Sequence, residues 1–107
     1  MINVIVYKKS GEYMGFRCEG HAGYVAEGYD PVCAAVSVLT VNTVNSIEQF
    51  TSDGMTVDAD EDGLVVLQLE EDSSDKTKLL LDSMVLGLEA IQKSYGNEYI
   101  RLIFKEV

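Results

Sequence analysis

"PVCAAVSVLTVNTVNSIEQF", residues 31–50, is a long segment that contains no glycine and has its only proline at the first position. Its apolar and small residues recur at the spacing of one face of an α-helix. Asp30 is a preferred N-cap residue, and Pro31 suits the first helical position. The segment therefore predicts a helix that begins at Pro31. Its predicted buried face comprises Val32, Ala35, Val36, Leu39, Thr43, Ile47 and Phe50.

Three further apolar residues, Val38, Val41 and Val44, lie outside this face. A helix with apolar residues on more than one side needs cover on more than one side. Packing on a sheet covers one face. The remaining apolar surface predicts either a subunit interface or a more enclosed core.

Two strands are predicted before this helix. Residues 2–8, "INVIVYK", are rich in β-branched and aromatic types, "SGEY" has the composition of a hairpin turn, and "EYMGFRCEG", residues 12–20, follows. In the second strand Met14, Phe16 and Cys18 alternate with glycine or charged residues, so we expect all three in the core. Because a buried thiol with apolar neighbours is unreactive, Cys18 is interpreted as structural.

The elements after the helix are a hairpin, a second helix and a strand. "GMTVDADEDGLVVLQLE", residues 54–70, predicts a β-hairpin with an acidic turn. Ser73 or Ser74, with Asp75, begins a helix that stops at Gly96. The closing "EYIRLIFKEV" predicts a strand. The apolar face of the second helix is predicted to comprise Leu80, Met84, Leu88, Ile91 and Tyr95.

The predicted order is β-β-α-β-β-α-β. This order is typical of an α+β fold, with one mixed sheet packed by two helices. A chain of 107 residues has the length of one domain, so we assign residues 1–107 to a single domain.

The charge of the chain limits its partners. Lys and Arg total 8 against 18 Asp and Glu, for a formal net charge of -10. Nucleic-acid binding rests largely on cations that neutralise phosphates, so we expect no direct nucleic-acid partner. The acidic field favours a basic partner, or alternatively serves only to keep the protein in solution.

The N-terminal "MINVIVYKKS" has no basic leader before its apolar run, and the run is too short to span a bilayer. We therefore expect a cytoplasmic protein without a membrane partner. In a reducing compartment its two cysteines are expected to be free thiols.

"DADEDG", residues 58–63, has the alternating carboxylates that open an EF-hand calcium loop. That loop requires a bidentate Glu at its twelfth position and a helix on each side. Here the twelfth position is Leu69, and strands are predicted on both sides. The segment is interpreted as an acidic hairpin turn, and no metal site is predicted.

The chemistry-bearing residues lie around the start of the first helix. Cys33 falls in the first turn, where backbone N–H groups stabilise a thiolate or a developing oxyanion. Pro31 lacks such a group, so the amides of Val32 and Cys33 are the candidates. His21 is the only histidine, and the glycine-containing loop after it is long enough to bring its imidazole to the thiol. His21 and Cys33 are therefore the candidate base and nucleophile; the alternative is a surface histidine and a core cysteine.

Two nearby residues have open roles. Asp30 either orients His21 as the third member of a triad or caps the helix by accepting from the Cys33 amide. Ser37 lies one turn after Cys33 on the same helix face. It either donates a hydrogen bond near the thiol or to substrate, or is a small residue that permits close packing.

Residues 20–39, "GHAGYVAEGYDPVCAAVSVL", combine Gly-His-Ala, a glycine-containing loop, Gly-x-Asp-x-x-Cys-Ala-Ala and then Ser. This pattern resembles the signature of the bacterial ribosomal-processing cysteine proteases, the Prp family. The length, the element order and the acidic character of the whole chain are also similar to that family.

The resemblance implies a cysteine endopeptidase that removes a short N-terminal extension from large-subunit ribosomal protein twenty-seven during ribosome maturation. By position, His21 would be the general base and Cys33 the nucleophile, with Asp30 and Ser37 at accompanying motif positions. No cofactor is implied. The resemblance also implies a homodimer through the first helix and a mobile loop that closes on substrate, which includes Gly23, Tyr24, Gly28 and Tyr29.

A different class of protein is also compatible with the residues. A non-enzymatic acidic module could bind a ribosomal protein or an assembly factor, with His21 and Cys33 in structural roles. The reactivity of Cys33 separates the two hypotheses, because only the protease needs a reactive thiol.

Overall fold

The computed structural model describes residues 1–70 and 72–107 of the chain. In these residues five strands and two helices follow one another in the predicted order, which confirms the α+β fold class. The elements are β1 (Ile2–Lys9), β2 (Glu12–Gly20), α1 (Pro31–Phe50), β3 (Met55–Ala59), β4 (Val65–Leu69), α2 (Asp75–Tyr95) and β5 (Ile100–Glu106).

The strands form one mixed sheet in the order β3-β4-β2-β1-β5. β1 and β5 are parallel, and the other neighbours are antiparallel. The turn between β1 and β2 has φ 52° at Ser10 and φ 82° at Gly11. Two successive residues with positive φ match the twist of a two-residue hairpin, and this is why a glycine stands in the turn.

Both helices contribute to a continuous core on the sheet. No helix in the described ranges is long and apolar enough to cross a membrane. The largest residues that are almost wholly buried are Val4, Val6, Phe16, Val32, Val36, Thr40, Ile47, Leu67, Leu81, Met84, Leu88 and Ile100.

The second strand departs from the predicted alternation. Phe16 and Cys18 face the core as expected, but Met14 is only half-buried, and Tyr13 is the buried residue at 4% exposure. The pairing of β1 with β2 shifts by one residue here, since Tyr7 lies opposite Gly15 and Lys8 opposite Tyr13. A bulge of this kind changes the face to which the following residues point. The expectation for Met14 was therefore wrong.

The buried face of α1 is broader at its centre and ends earlier than predicted. Val44 and Thr40 are buried, and the Thr40 hydroxyl donates to the carbonyl of Val36 at 3.0 Å. Phe50, in contrast, is 64% exposed. It stands at the last helical position, and its assignment to the buried face was wrong.

The buried face of α2 differs in part from the predicted face. Met84 and Leu88 are buried as predicted, and Leu80 and Ile91 are partly buried against the core. Tyr95 is exposed to 36% and was wrongly placed in the core. The fully covered positions of the helix are Thr77, Leu81, Met84, Val85 and Leu88.

The start of α2 is fixed by one carboxylate from the connection after α1. Oδ2 of Asp53 accepts from the backbone N–H of Ser74 and from its hydroxyl, both at 2.8 Å, and from the Thr77 hydroxyl at 2.5 Å. Ser74 is the N-cap of α2, and Thr77 is completely buried. The hydrogen bond from Thr77, followed by those from Ser74, holds the pKa of the Asp53 carboxyl below its usual value. Asp53 thus fixes the connection that follows α1 to the first turn of α2.

We expect Asp53→Ala to lower the free energy of unfolding by about 1–3 kcal/mol, because the buried Thr77 hydroxyl loses its acceptor. Urea unfolding at neutral pH measures this loss. A depressed pKa stabilises the fold above the unfolded-state pKa of about 4 and stops doing so as pH falls through the folded value. The difference between wild type and Asp53→Ala should therefore shrink in acid.

The matched control is Asp72→Ala, at an exposed carboxylate close to the same helix. It should change stability by less than about 0.5 kcal/mol. An equal loss in both variants, or a difference that does not depend on pH, would contradict the role of Asp53.

Candidate active site

The first turn of α1 is capped by Asp30. Oδ1 of Asp30 accepts from the backbone N–H of Val32 at 2.9 Å and from that of Cys33 at 3.2 Å. Its other oxygen, Oδ2, accepts from the backbone N–H of Tyr24 at 3.0 Å. Asp30 therefore acts as a helix cap that also holds the preceding loop, which is the second of the two roles weighed for it.

The ionisation of Asp30 reflects these contacts. Partial burial favours the neutral acid, but the N–H groups of Cys33, Val32 and Tyr24 outweigh it and hold the pKa of Asp30 below its usual value. Both first-turn amides that the sequence offered as oxyanion donors are thus already bonded to a carboxylate. A substrate oxygen would compete with the Asp30 carboxylate for these two amides, because the same geometry that exposes them also suits the N-cap.

The thiol of Cys33 has a different donor. The backbone N–H of Ala22 lies 3.3 Å from Cys33 Sγ, in hydrogen-bonding geometry. Ala22 is 3% exposed, whereas its neighbour His21 is exposed to solvent. The chain turns between β2 and this point at Gly20, whose φ is 97°, and a Cβ there would collide with the carbonyl oxygen of Met1.

The predicted base and nucleophile line the same cleft, of about 160 Å³. His21, Cys33 and Ser37 all line it, so Ser37 faces the same space as the thiol. Asp30 does not line it, which agrees with its role as a cap. The other lining residues are Ile2, Cys18, Gly20, Val36, Glu61, Asp62 and Gly63.

A larger hollow of about 310 Å³ lies elsewhere, on the face of the sheet away from the helices, beside Tyr7, Met14 and Val66. It is lined by neither a thiol nor an imidazole. Of these two hollows, the smaller cleft is the one lined by both a cysteine and a histidine.

The loop between β2 and α1 stands beside this cleft. The ring of Tyr24 packs edge-to-face on Tyr95, with ring centroids 5.2 Å apart, and on Tyr99, at 5.0 Å. Tyr29 extends into solvent at 78% exposure. The loop glycines Gly23 and Gly28 both have positive φ, of 70° and 83°. The contacts of Tyr24 tie the loop to the C-terminal end of α2.

One wall of the cleft was missed by sequence reasoning. Glu61 and Asp62 belong to the β3–β4 turn, which was interpreted only as an acidic hairpin tip. Cys18 of β2 is paired with Val65 of β4, so this turn lies beside the end of β2 that carries His21. The acidic composition of the turn was visible in the sequence, but its position depends on a strand pairing between distant segments.

The turn is shaped by its own residues. Oδ1 of Asp60 accepts from the backbone N–H of Asp62 at 2.9 Å and from that of Leu64 at 3.0 Å. Strands flank the turn on both sides, as expected when the calcium-loop interpretation was rejected. Within residues 1–70 and 72–107, no group of three or more His, Cys, Asp or Glu side chains is arranged to hold a metal ion.

Cys18 also lines the cleft but differs from Cys33 in environment. It is 3% exposed, and burial, with smaller effects of Cys33 and Glu19, raises the pKa of its thiol to about 11. Cys33 is half-buried, and neither cysteine is in a disulfide. A thiol that ionises so reluctantly is a poor nucleophile near neutral pH.

Comparisons with known proteins show which family this chain resembles along its length. The family described as cysteine protease Prp matches residues 1–101. A ribosomal processing cysteine protease Prp from Staphylococcus aureus strain Mu50 is 32% identical over 107 residues, covering 98% of this chain and 100% of that protein. The protein of that name from Bacillus subtilis strain 168 is 29% identical over 87 residues, covering 77% and 78% of the two chains.

Solved structures show the same fold. The crystal structure of an essential ribosomal processing protease Prp from S. aureus, in complex with a covalently linked product peptide, has a TM-score of 0.90 at 31% identity. That match covers 98% of this chain and 100% of the other. A second S. aureus structure, in complex with a substrate peptide, has a TM-score of 0.86 at 30% identity, with the same coverage.

The protein is therefore a cysteine protease, and the prediction of an enzyme of this class is confirmed. The match along most of the chain shows further that it belongs to the Prp family of ribosomal processing cysteine proteases. The alternative of a non-enzymatic acidic module does not hold.

The two cysteines should react differently with iodoacetamide. In the folded protein at neutral pH we expect Cys33 to be alkylated and Cys18 to be protected, because Cys18 is buried and its thiol remains protonated. Peptide mapping by mass spectrometry measures both sites. In urea, both should be labelled at similar rates. Equal labelling of the two sites in the folded protein would contradict the assignment.

Proposed function

We propose that this protease is an endopeptidase that removes the N-terminal extension of large-subunit ribosomal protein twenty-seven during ribosome maturation, with Cys33 as nucleophile and His21 as general base. The observation that carries the proposal is the cleft shared by the Cys33 thiol and the His21 imidazole. The S. aureus relative with a covalently linked product peptide supports a peptide as substrate.

The proposed mechanism uses these two side chains in turn. His21 accepts the thiol proton, and Cys33 Sγ attacks the scissile carbonyl carbon. The carbon–nitrogen bond breaks, and the leaving amine takes the proton from His21. Water, activated by the same imidazole, then hydrolyses the thioester and regenerates the thiol. The side chains complete this cycle without a cofactor.

Ser37 and the loop have supporting roles in this proposal. The hydroxyl of Ser37 lines the cleft one turn after Cys33 and is available to a bound peptide. The loop that includes Gly23 and Gly28 closes over the peptide. The ring contacts of Tyr24 with Tyr95 and Tyr99 change as the loop closes. Asp30 holds the loop to the helix throughout.

The charge of the cleft supports a basic peptide. Glu61 and Asp62 form part of its wall, and the chain as a whole carries a net charge of -10. Ribosomal proteins are basic as a class because they bind RNA, so a segment of one is attracted to an acidic cleft. The same charge disfavours direct binding to nucleic acid.

We propose that two copies associate through α1 in the cytoplasm, with no membrane partner. Val38 and Val41 are 67% and 43% exposed on this helix, although they are apolar. Apolar residues exposed on neighbouring turns are typical of a protein interface. Of the two alternatives for these valines, a subunit interface is the one that their exposure supports.

The experiment that tests the function is cleavage of a synthetic peptide that spans the N-terminal extension, followed by mass spectrometry. We expect wild type to cut it at one bond, Cys33→Ala to be inactive, and His21→Ala to lose at least about a hundredfold in kcat/KM, because the loss of a general base has that effect. Circular dichroism of each variant checks that it is folded.

The alternatives give distinct results in the same assay. Cleavage by Cys33→Ala would contradict the assignment of the nucleophile. Binding of the peptide without cleavage by folded wild type would contradict this substrate. An unrelated peptide of equal charge is the control for specificity.

We expect the double variant Val38→Glu, Val41→Glu to be monomeric, because four carboxylates in a two-fold interface repel one another once water is excluded. Sedimentation equilibrium measures the molecular mass of each form. Gln68→Glu, at an exposed position of β4 on the face of the sheet away from the helices, is the control and should remain dimeric. A wild-type monomer at all concentrations would overturn the proposed dimer.

A further inference from the structure

The structure leaves one question about the proposed reaction. When Cys33 Sγ attacks a carbonyl carbon, the oxygen becomes an oxyanion, and hydrolases of this kind supply a hydrogen-bond donor for it. The first-turn amides of Val32 and Cys33 are bonded to Asp30 Oδ1, at 2.9 and 3.2 Å. A substrate oxygen would have to compete with a carboxylate for them. The donor must therefore come from another part of the site.

We propose that the backbone N–H of Ala22 stabilises the oxyanion. This inference rests on the proposed function of Cys33. The N–H of Ala22 lies 3.3 Å from Cys33 Sγ and donates toward it. The oxyanion forms on the carbon to which the sulfur bonds, so a donor directed at the sulfur is next to the oxygen as well.

The position of Ala22 is fixed by its surroundings. Its side chain is 3% exposed and belongs to the hydrophobic core, which anchors the peptide unit that carries the N–H. Gly20 and Gly23, on either side, have φ of 97° and 70°, values that let the backbone turn so that this amide faces the thiol. A preorganised donor of this kind does not have to reorient during the reaction, and this makes it effective.

The surrounding charges make such a donor necessary. Glu61 and Asp62 line the same cleft, and an oxyanion that forms near two carboxylates is raised in energy by repulsion. A backbone N–H offsets this without adding a positive side chain that would repel a basic peptide. The site thus combines attraction for a basic substrate with a neutral donor for a negative intermediate.

The sulfur–carbon bond forms, the carbonyl π electrons move to oxygen, and the thiol proton resides on His21. The Ala22 N–H then transfers its hydrogen bond from sulfur to the oxyanion. When the carbon–nitrogen bond breaks, the electron pair returns to re-form the carbonyl, and the amine takes the proton from His21.

The test removes the N–H of Ala22 and leaves every side chain in place. Lactic acid is incorporated in place of Ala22, so that the amide between residues 21 and 22 becomes an ester. We expect kcat for the extension peptide to fall by about a hundredfold or more, with KM changed by less than about threefold, because the donor acts on the transition state. The matched control is lactic acid in place of Ala90, on the exposed side of α2. It also loses one backbone N–H and should retain kcat.

Alkylation of Cys33 by iodoacetamide separates the oxyanion from the thiolate. This reaction uses the same sulfur but forms no oxyanion, so its rate in the Ala22 ester should fall by about tenfold at most. An equal loss in cleavage and in alkylation would overturn the proposal, because the N–H would then act only on the sulfur. A kcat within about threefold of the Ala90 control would overturn it as well.

The same assay tells this inference apart from the function on which it rests. Cys33→Ser is included as a variant that keeps the shape of the site but replaces the thiol. If it cleaves as fast as wild type, the proposed nucleophile is wrong and the inference fails with it. If Cys33→Ser is inactive and the Ala22 ester is fully active, the inference alone fails.

Discussion

The carboxylate of Asp30 is the contact on which the site depends. One oxygen caps the first turn of α1 and the other holds Tyr24 of the preceding loop. The position of Cys33 on the helix and the path of the loop that carries Ala22 are therefore set by the same group. The same carboxylate also occupies the first-turn N–H groups of Val32 and Cys33 as their acceptor.

The order of strands in the sheet brings the remaining parts together. β2 lies between β1 and β4, so its end, where His21 begins the loop, has the β3–β4 turn beside it. The first turn of α1, which carries Cys33, lines the same cleft. Cys33, His21 and two acidic residues thus line one cleft although they come from three separate segments of the chain. Cys33 stands on a helix, whereas His21 lies in a loop and the two carboxylates lie in a turn.

Most of the fold could be predicted because the signals are local. Strand alternation, the two helix caps and the turn at Gly11 each involve residues a few positions apart. His21 and Cys33 were selected on the same grounds. The errors have a different cause: Met14 is displaced by a bulge, Phe50 is left exposed at the last position of α1, and the acidic turn lines the cleft through a pairing of β4 with β2. These depend on contacts between distant segments, which spacing does not reveal.

The burial of Cys18 has a consequence for damage by oxidants. Peroxide attacks a thiolate, and in a redox sensor a second thiolate then resolves the sulfenic acid into a reversible disulfide. Here the neighbouring sulfur is protonated, with a pKa raised to about 11, and lies at 3% exposure in the core. Oxidised Cys33 therefore has no neighbouring thiolate that could resolve its sulfenic acid into a disulfide. An enzyme built in this way depends on the reductants of its compartment to return to activity.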